Sequence, residues 1–241
     1  MSDVVQGNGR GDDTVADDGI DWDDHAGRGL EIVTRLHALL DVDDTPSAGR
    51  LVDEVLSRME LADAVSSVLM PFLRHVGARW ESGQLSVAQE HWASQLVRNR
   101  LAGLWDRVSV TDGPVALVAC PPGERHDIAP LAFCVLLAHA GWQARFYGAD
   151  TPLPDLAAVA ARVRPDVVVL AASRRSAFLA RAQEVRRLAL DHTVAIAGSG
   201  ASAQVAAELD AHWLGHDVAD GVAEASRLVR RADAARPGAA S

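Results

Sequence analysis

The sequence predicts an α + α/β architecture, an N-terminal four-helix bundle followed by a parallel five-stranded sheet covered by helices. Two observations carry this prediction. From Gly29 to Val108, apolar residues recur at intervals of three and four, the spacing of amphipathic helices. Beyond a linker, Thr111-Asp112-Gly113-Pro114, short apolar runs alternate with helical stretches, as in a sheet with both faces covered. The chain has 241 residues, enough for one large domain or two small ones, and 49% are hydrophobic, enough for a sizeable core.

The elements follow in order. Residues 1–28 hold eight Asp against Arg10 and Arg28, and so carry most of the net charge of −10. Five glycines interrupt this stretch, which reads as a disordered acidic tail. Leu30, Val33, Leu36, Leu39 and Leu40 mark a first helix, and Leu51, Val55 and Met59 a second. Leu61, Val65, Val68, Leu69, Phe72, Leu73, Val76 and Trp80 mark a long third helix that Gly83 stops. Ser86 with Gln89 is a capping-box pattern that starts a fourth, running to about Val108. The bundle is assigned to 29–110 and the sheet domain to 114–233, with a short tail over 234–241. Strands are expected at 115–120, 143–147, 167–171, 194–197 and 212–213. Helices are expected near 126–140, 153–164, 175–190, 201–208 and 218–232.

Composition excludes several classes. A net charge of −10 is unsuited to phosphate backbones, so no direct DNA binding is expected. Two cysteines, Cys120 and Cys134, do not make a disulfide framework. No N-terminal run looks like a signal peptide, and the longest apolar stretch, 128–138, is too short for a bilayer. A cytoplasmic protein with no membrane partner is the expectation.

Ligands of parallel sheets bind at the carboxyl ends of the strands. The loops to inspect are therefore 121–129, 148–152, 171–176 and 197–202. The first contains Glu124-x-His126. A metal-bound imidazole commonly gives its second N–H to a carboxylate, which fixes its tautomer. By itself the motif also fits an ordinary helix start. Upstream, Trp80 lies three residues before Gly83 and Glu90 lies four after Ser86. At about 1.5 Å per residue both stand at one level, near the same end of the bundle. An aromatic plate, a carboxylate and the imidazole of His91 can therefore converge there. A core tryptophan beside a solvated Glu-His pair is the plainer reading of these residues taken alone.

Glu124-x-His126-x-x-Ala129 resembles the Asp/Glu-x-His-x-x-Gly motif of cobalamin-binding domains. Gly148-Ala149-Asp150-Thr151-Pro152 resembles the loop after their second strand, and Ala197-Gly198-Ser199-Gly200 their glycine-rich turn. The spacing Trp80-x9-Glu90-His91 is similar to the helical cap of the adenosylcobalamin-dependent photoreceptor repressors. The resemblance runs in order from about Gly29 to Leu228. It implies a Rossmann-like, flavodoxin-like sheet domain and a cobalt atom held from below by His126. It implies an adenosyl group enclosed from above by Trp80, Glu90 and His91. The implied lower contacts are Glu124, Asp127, Ile128 and Ala129, then Gly148, Ala149, Asp150 and Thr151, then Ala171 and Ser173, and finally Gly198, Ser199 and Gly200.

The chain departs from the family in three places. Ala129 stands where the family has glycine. The family's Ser-x-Leu aligns with Ala171-Ala172-Ser173, which removes a hydroxyl or displaces it by two residues. Glu81 stands where the repressors carry a histidine directly after the bundle tryptophan, so the same bis-histidine cobalt is not expected from this position. The repressors' helix-turn-helix domain has no counterpart in residues 1–28.

The expected function is a light sensor, not an enzyme, that signals through a change of association. It would be a homo-oligomer, a dimer by expectation, with an unidentified protein as output partner. A corrinoid methyl carrier and a cofactor-free interaction module are the alternatives. No motif decides whether a second chromophore, a bilin, is also bound.

Overall fold

The computed structural model describes Ile20, Trp22, residues 27–108 and residues 110–235, with side chains to 231. Most of the acidic tail assigned to 1–28, and residues 236–241, lie outside the described residues. Within that tail assignment Ile20 and Arg28 are buried and Trp22 is half-buried. Ile20 is buried in the bundle core and Trp22 packs against it, under the Arg58 guanidinium. Trp22 also accepts a hydrogen bond from Arg28 through its carbonyl.

The helical region comprises α1 (Arg28–Asp41), α2 (Thr45–Arg58), α3 (Leu61–Asp63), a π-helical segment (Ala64–Leu69), α4 (Met70–Glu81) and α5 (Val87–Trp105). The sequence reads Leu61 to Trp80 as one regular helix, and the structure widens it by a π-helical turn. Pro71 supplies the reason. It has no N–H for the carbonyl four residues back, and its ring crowds that carbonyl. The expected capping box is present: the Ser86 hydroxyl accepts from the Gln89 N–H, and the Ser86 N–H donates to the Gln89 side chain. Gly83, at φ +75°, makes the turn between α4 and α5.

The sheet domain continues with β1 (Val115–Ala119), α6 (Ile128–His139), β2 (Gln143–Gly148), α7 (Leu153–Val163), β3 (Val167–Ala171), α8 (Arg175–Leu179) and α9 (Ala182–Asp191). It ends with β4 (Val194–Ala197), α10 (Ala203–Glu208), β5 (His212–Trp213) and α11 (Val218–Ala235). The expected 175–190 helix is thus two helices. All strand pairs are parallel and the order is β2-β1-β3-β4-β5. This is the flavodoxin-like order, whose ligand crevice lies where the winding reverses, between β1 and β3.

Helix α6 explains how the two parts join. Pro130 through Ala138 are all buried, whereas a surface helix buries one stripe. Phe133, Cys134 and Leu137 pack on the sheet. Leu131, Ala132, Val135 and Leu136 belong to the bundle core. The 128–138 run is apolar all round because it lies between two layers. Side-chain bonds add to the joint: the Ser66 hydroxyl donates to Asp217 at 2.8 Å, and Asp217 also accepts from the first-turn N–H of Ala219 in α11.

A shared helix implies shared cooperativity. Leu136→Ala should cost about 2–5 kcal/mol. Helical circular dichroism and tryptophan fluorescence should still report one coincident transition. Two separated transitions in the unsubstituted protein would contradict the coupling through α6.

Candidate functional site

The four loops at the carboxyl ends of β1 to β4 form one hydrogen-bonded unit. Glu124, after β1, is its centre and is buried. One carboxylate oxygen accepts from the His126 N–H at 2.8 Å and from His126 Nδ1 at 2.6 Å. The other accepts from the Ser173 N–H at 2.6 Å and the Ser173 hydroxyl at 2.7 Å. Ser173 follows β3, so Glu124 spans the β1/β3 switch point.

Burial alone would push the Glu124 carboxyl up. The hydrogen bonds from His126 and Ser173 outweigh it and hold the carboxyl at about 2. An ionised carboxylate only accepts, so His126 Nδ1 carries the proton. In the neutral imidazole that leaves the lone pair on Nε2, and the His126 side chain is 75% exposed. The structure therefore presents one oriented imidazole nitrogen to a ligand. That donor set fits a cobalt ion held by a single histidine, since imidazole nitrogen suits such metals. Among the described residues no group of three or more His, Cys, Asp or Glu is arranged to hold a metal by itself.

Asp150 fixes the loop from the side. It lies after β2 with φ +52°, a conformation that Asp tolerates better than most residues. Its N–H donates to the Glu124 carbonyl at 2.9 Å, and its carboxylate accepts the Gly123 N–H at 2.7 Å. Gly123 itself stands at φ +88°. The Thr151 N–H donates to the Cys120 carbonyl, and the Thr151 hydroxyl donates to Gly148. Gly148 closes β2 where the β1–β2 register shifts, and Ala149 beside it is exposed. The Cys120 thiol is pushed up to about 12 by burial and by the charges of Asp127 and Glu124. It stays protonated and is a packing residue.

The remaining expected lower-face residues lie around this unit. Asp127 precedes α6, and Ile128 and Ala129 are half-buried in its first turn. Ala171 is buried at the end of β3. The displaced hydroxyl of Ser173 has taken a different role, on Glu124, and lies 3.2 Å from His126 Nδ1. The Ser199 hydroxyl donates to the Ser173 carbonyl at 3.0 Å. Gly198 and Gly200 are expected to clear space for a ligand tail. Here a Cβ on Gly198 would come within 2.5 Å of the Ala172 carbonyl, and one on Gly200 within 2.4 Å of the Arg174 backbone. Their smallness serves the contact between the loops after β3 and β4.

On the bundle side, Trp80 is 45% exposed, a large apolar surface left in the open. Glu90 lies in the first turn of α5 and accepts the Ser94 hydroxyl at 2.8 Å. His91 is mostly exposed, with Nε2 3.6 Å from Glu90. Trp80 and Glu90 stand one turn either side of the Gly83 hairpin, as the spacing requires. Sequence reasoning missed Arg98, which pairs with Asp127 across the two parts of the molecule. Its signal was spacing: Arg98 is eight residues beyond Glu90, on the same face of α5.

Glu124 makes acid stability a test. Its folded value lies below the ordinary 4.5, so its contribution is complete above about pH 4.5 and is lost as pH falls towards 2. Glu124→Gln should destabilise by about 1–3 kcal/mol at pH 7, because an amide must turn an N–H towards donors. Urea unfolding at pH 2.5, 4 and 7 should show the gap between the two proteins narrowing as pH falls. An equal gap at all three would remove Glu124 from this role.

Residues 35–104, from within α1 to within α5, match the family described as B12 binding domain. The chain is 36% identical over 156 residues to the HTH-type transcriptional repressor CarA of Myxococcus xanthus, covering 63% of this chain and 52% of that protein. It is 39% identical over 127 residues to the repressor CarH of the same organism, covering 53% and 42%. The chain thus spans about half the length of these relatives. The monomethylamine corrinoid protein of Methanosarcina barkeri has the same fold, with a TM-score of 0.67 at 17% identity over 83% of this chain and 99% of that one.

Proposed function

We propose that this chain, a cobalamin-binding relative of the Myxococcus repressors, is an adenosylcobalamin photoreceptor that signals by changing its association. The observation that carries the proposal is the presence of both half-sites in one chain. Glu124 presents His126 with Nε2 available, and the bundle carries Trp80, Glu90 and His91 at the matching level of α4 and α5. The bound group would supply a light-labile cobalt–carbon bond. The protein supplies binding and orientation.

Each residue then has a role in this reading. His126 would hold the cobalt of a bound cobalamin, and Glu124 fixes the tautomer and orientation of its imidazole. Ser173 keeps the Glu124 carboxylate in place. Trp80 offers its exposed face to an adenine. Glu90, held by Ser94, accepts from ribose hydroxyls. Loss of the adenosyl group would leave Trp80 and Glu90 without a partner, which favours movement of the bundle against the sheet domain. The output would be a change in quaternary state, starting from a dimer. No catalytic step is assigned. A methyl-carrier role shares this fold but leaves the exposed Trp80 without a purpose. Among the described residues no helix is long and apolar enough to cross a membrane.

The test is an absorption spectrum of protein loaded with adenosylcobalamin, before and after green light, alongside light scattering at several concentrations. The reading expects a spectral change with a change in mass. One mass in dark and light would sink the signalling proposal. His126→Ala should weaken binding by more than about tenfold or give a His-off dark spectrum. Trp80→Ala should lower the preference for adenosyl- over methylcobalamin by at least about fivefold, the low end of a base–aromatic stack. Equal calorimetric affinities of the unsubstituted protein for the two cobalamins would favour the methyl carrier.

A further inference from the structure

Asp127 occupies the N-cap position of α6, where an Asp carboxylate ordinarily accepts an N–H from the first turn. It makes no such bond. Part of the reason is local: the third helical residue is Pro130, which has no N–H to give. The carboxylate is taken instead by a residue from the other part of the molecule. Both terminal nitrogens of Arg98 in α5 reach it, Nη1 to one oxygen at 3.3 Å and Nη2 to the other. The pair is largely covered, with the Asp127 side chain 12% and the Arg98 side chain 30% exposed. A two-point guanidinium–carboxylate contact fixes direction as well as distance, which a single ammonium does not.

Asp127 is the residue after His126. Its backbone is continuous with the turn that Glu124 and Asp150 hold, and its carbonyl accepts the Leu131 N–H at the start of α6. Arg98 therefore holds the chain directly after His126, at Asp127, while Glu124 bonds His126 itself. It does so from α5, where Glu90, Ser94 and Arg98 lie at successive steps of four on one face, with Glu90 about 12 Å from Arg98 along the axis. One rigid helix touches the bundle carboxylate at one level and the histidine loop at another.

We infer that Arg98 is a positioning residue for His126: through Asp127 it ties the loop that presents the imidazole to the helix that carries Glu90. This inference rests on the cobalamin reading for its purpose, but its physical content does not need the cofactor. Displacement of α5 would pull on the His126 loop, and release of His126 would loosen α5.

The test has an apo arm and a loaded arm. In the apo protein, hydrogen exchange of the His126 and Leu131 amides should quicken at least about tenfold in Arg98→Gln, while β3 amides keep their protection. Arg98→Lys should recover part of the loss, since it restores charge without the fork. In the loaded arm, Arg98→Gln should weaken cobalamin binding about 10–100-fold, as loss of an outer-shell partner does, with a dark spectrum shifted towards His-off. If Arg98→Gln fails to fold, Asp127→Asn keeps the volume and should give the same local loosening. Wild-type exchange at His126 and Leu131 in a folded variant overturns the inference. If the unsubstituted protein takes up no cobalamin, the cobalamin reading falls, while the apo arm still decides the role of Arg98.

Discussion

The Glu124 carboxylate is the constraint on which the rest of the site depends. It receives four donors, two from His126 and two from Ser173, while nearly sealed from solvent. A buried carboxylate with fewer partners would take up a proton, and then it would no longer dictate which His126 nitrogen is bare. The donors come from opposite sides of the β1/β3 switch point, so the sheet topology itself assembles them. Asp150 on one flank and Ser199 on the other extend the same unit to the loops after β2 and β4. Four loops are thereby held around one imidazole, which is how an exposed histidine can still have a defined direction.

The second constraint is α6. Because it is buried on both sides, the sheet domain and the bundle cannot exchange water for contact independently. Its N-terminus is also the His126 loop, and its flank is packed by α5. The ligand loop thus lies at the seam between the two layers. In the proposed reading, motion of the bundle would have a short route to the His126 loop through Arg98 and Asp127. The π-helical turn before Pro71 and the Ser66–Asp217 bond place a second contact at this seam, near the start of α11.

Much of this was legible because it is local or periodic. The three- and four-residue spacing placed the bundle helices, the Ser86–Gln89 box marked the start of α5, and strand limits were within a residue of those observed. Glu124-x-His126 was readable because a single turn brings its members together. What escaped were pairings across sequence distance. Ser173 reads as a displaced tail contact when aligned with a motif, and only the fold brings its hydroxyl to Glu124, 49 residues away. Gly198 and Gly200 read as space for a ligand, whereas their neighbours are the Ala172 and Arg174 backbones. The widening before Pro71 was hidden because the apolar period continues through it. Arg98 sits in a helix whose faces are divided between the bundle and α6, so its step of eight from Glu90 was the one weak signal and was overlooked.

The placements of Ser173, Gly198 and Gly200 share a physical origin that bears on function. In each case a residue that resembles a ligand contact is used first to hold one loop against another. A site built this way is organised before any cofactor enters, which lowers the ordering cost of binding. The bundle face differs: Trp80 remains 45% exposed and His91 is mostly in solvent, so few contacts fix that half in advance. A firm lower half and a loosely committed upper half divide the work. In the proposed reading the first would retain a cofactor whatever its upper substituent, and the second would change its contacts when that substituent changes. Glu81, which follows Trp80, does not offer a histidine to take the vacated upper position. In the proposed reading the conformational response would then come from the loss of contacts to Trp80 and Glu90, carried along α5, and not from a new bond between Glu81 and the metal.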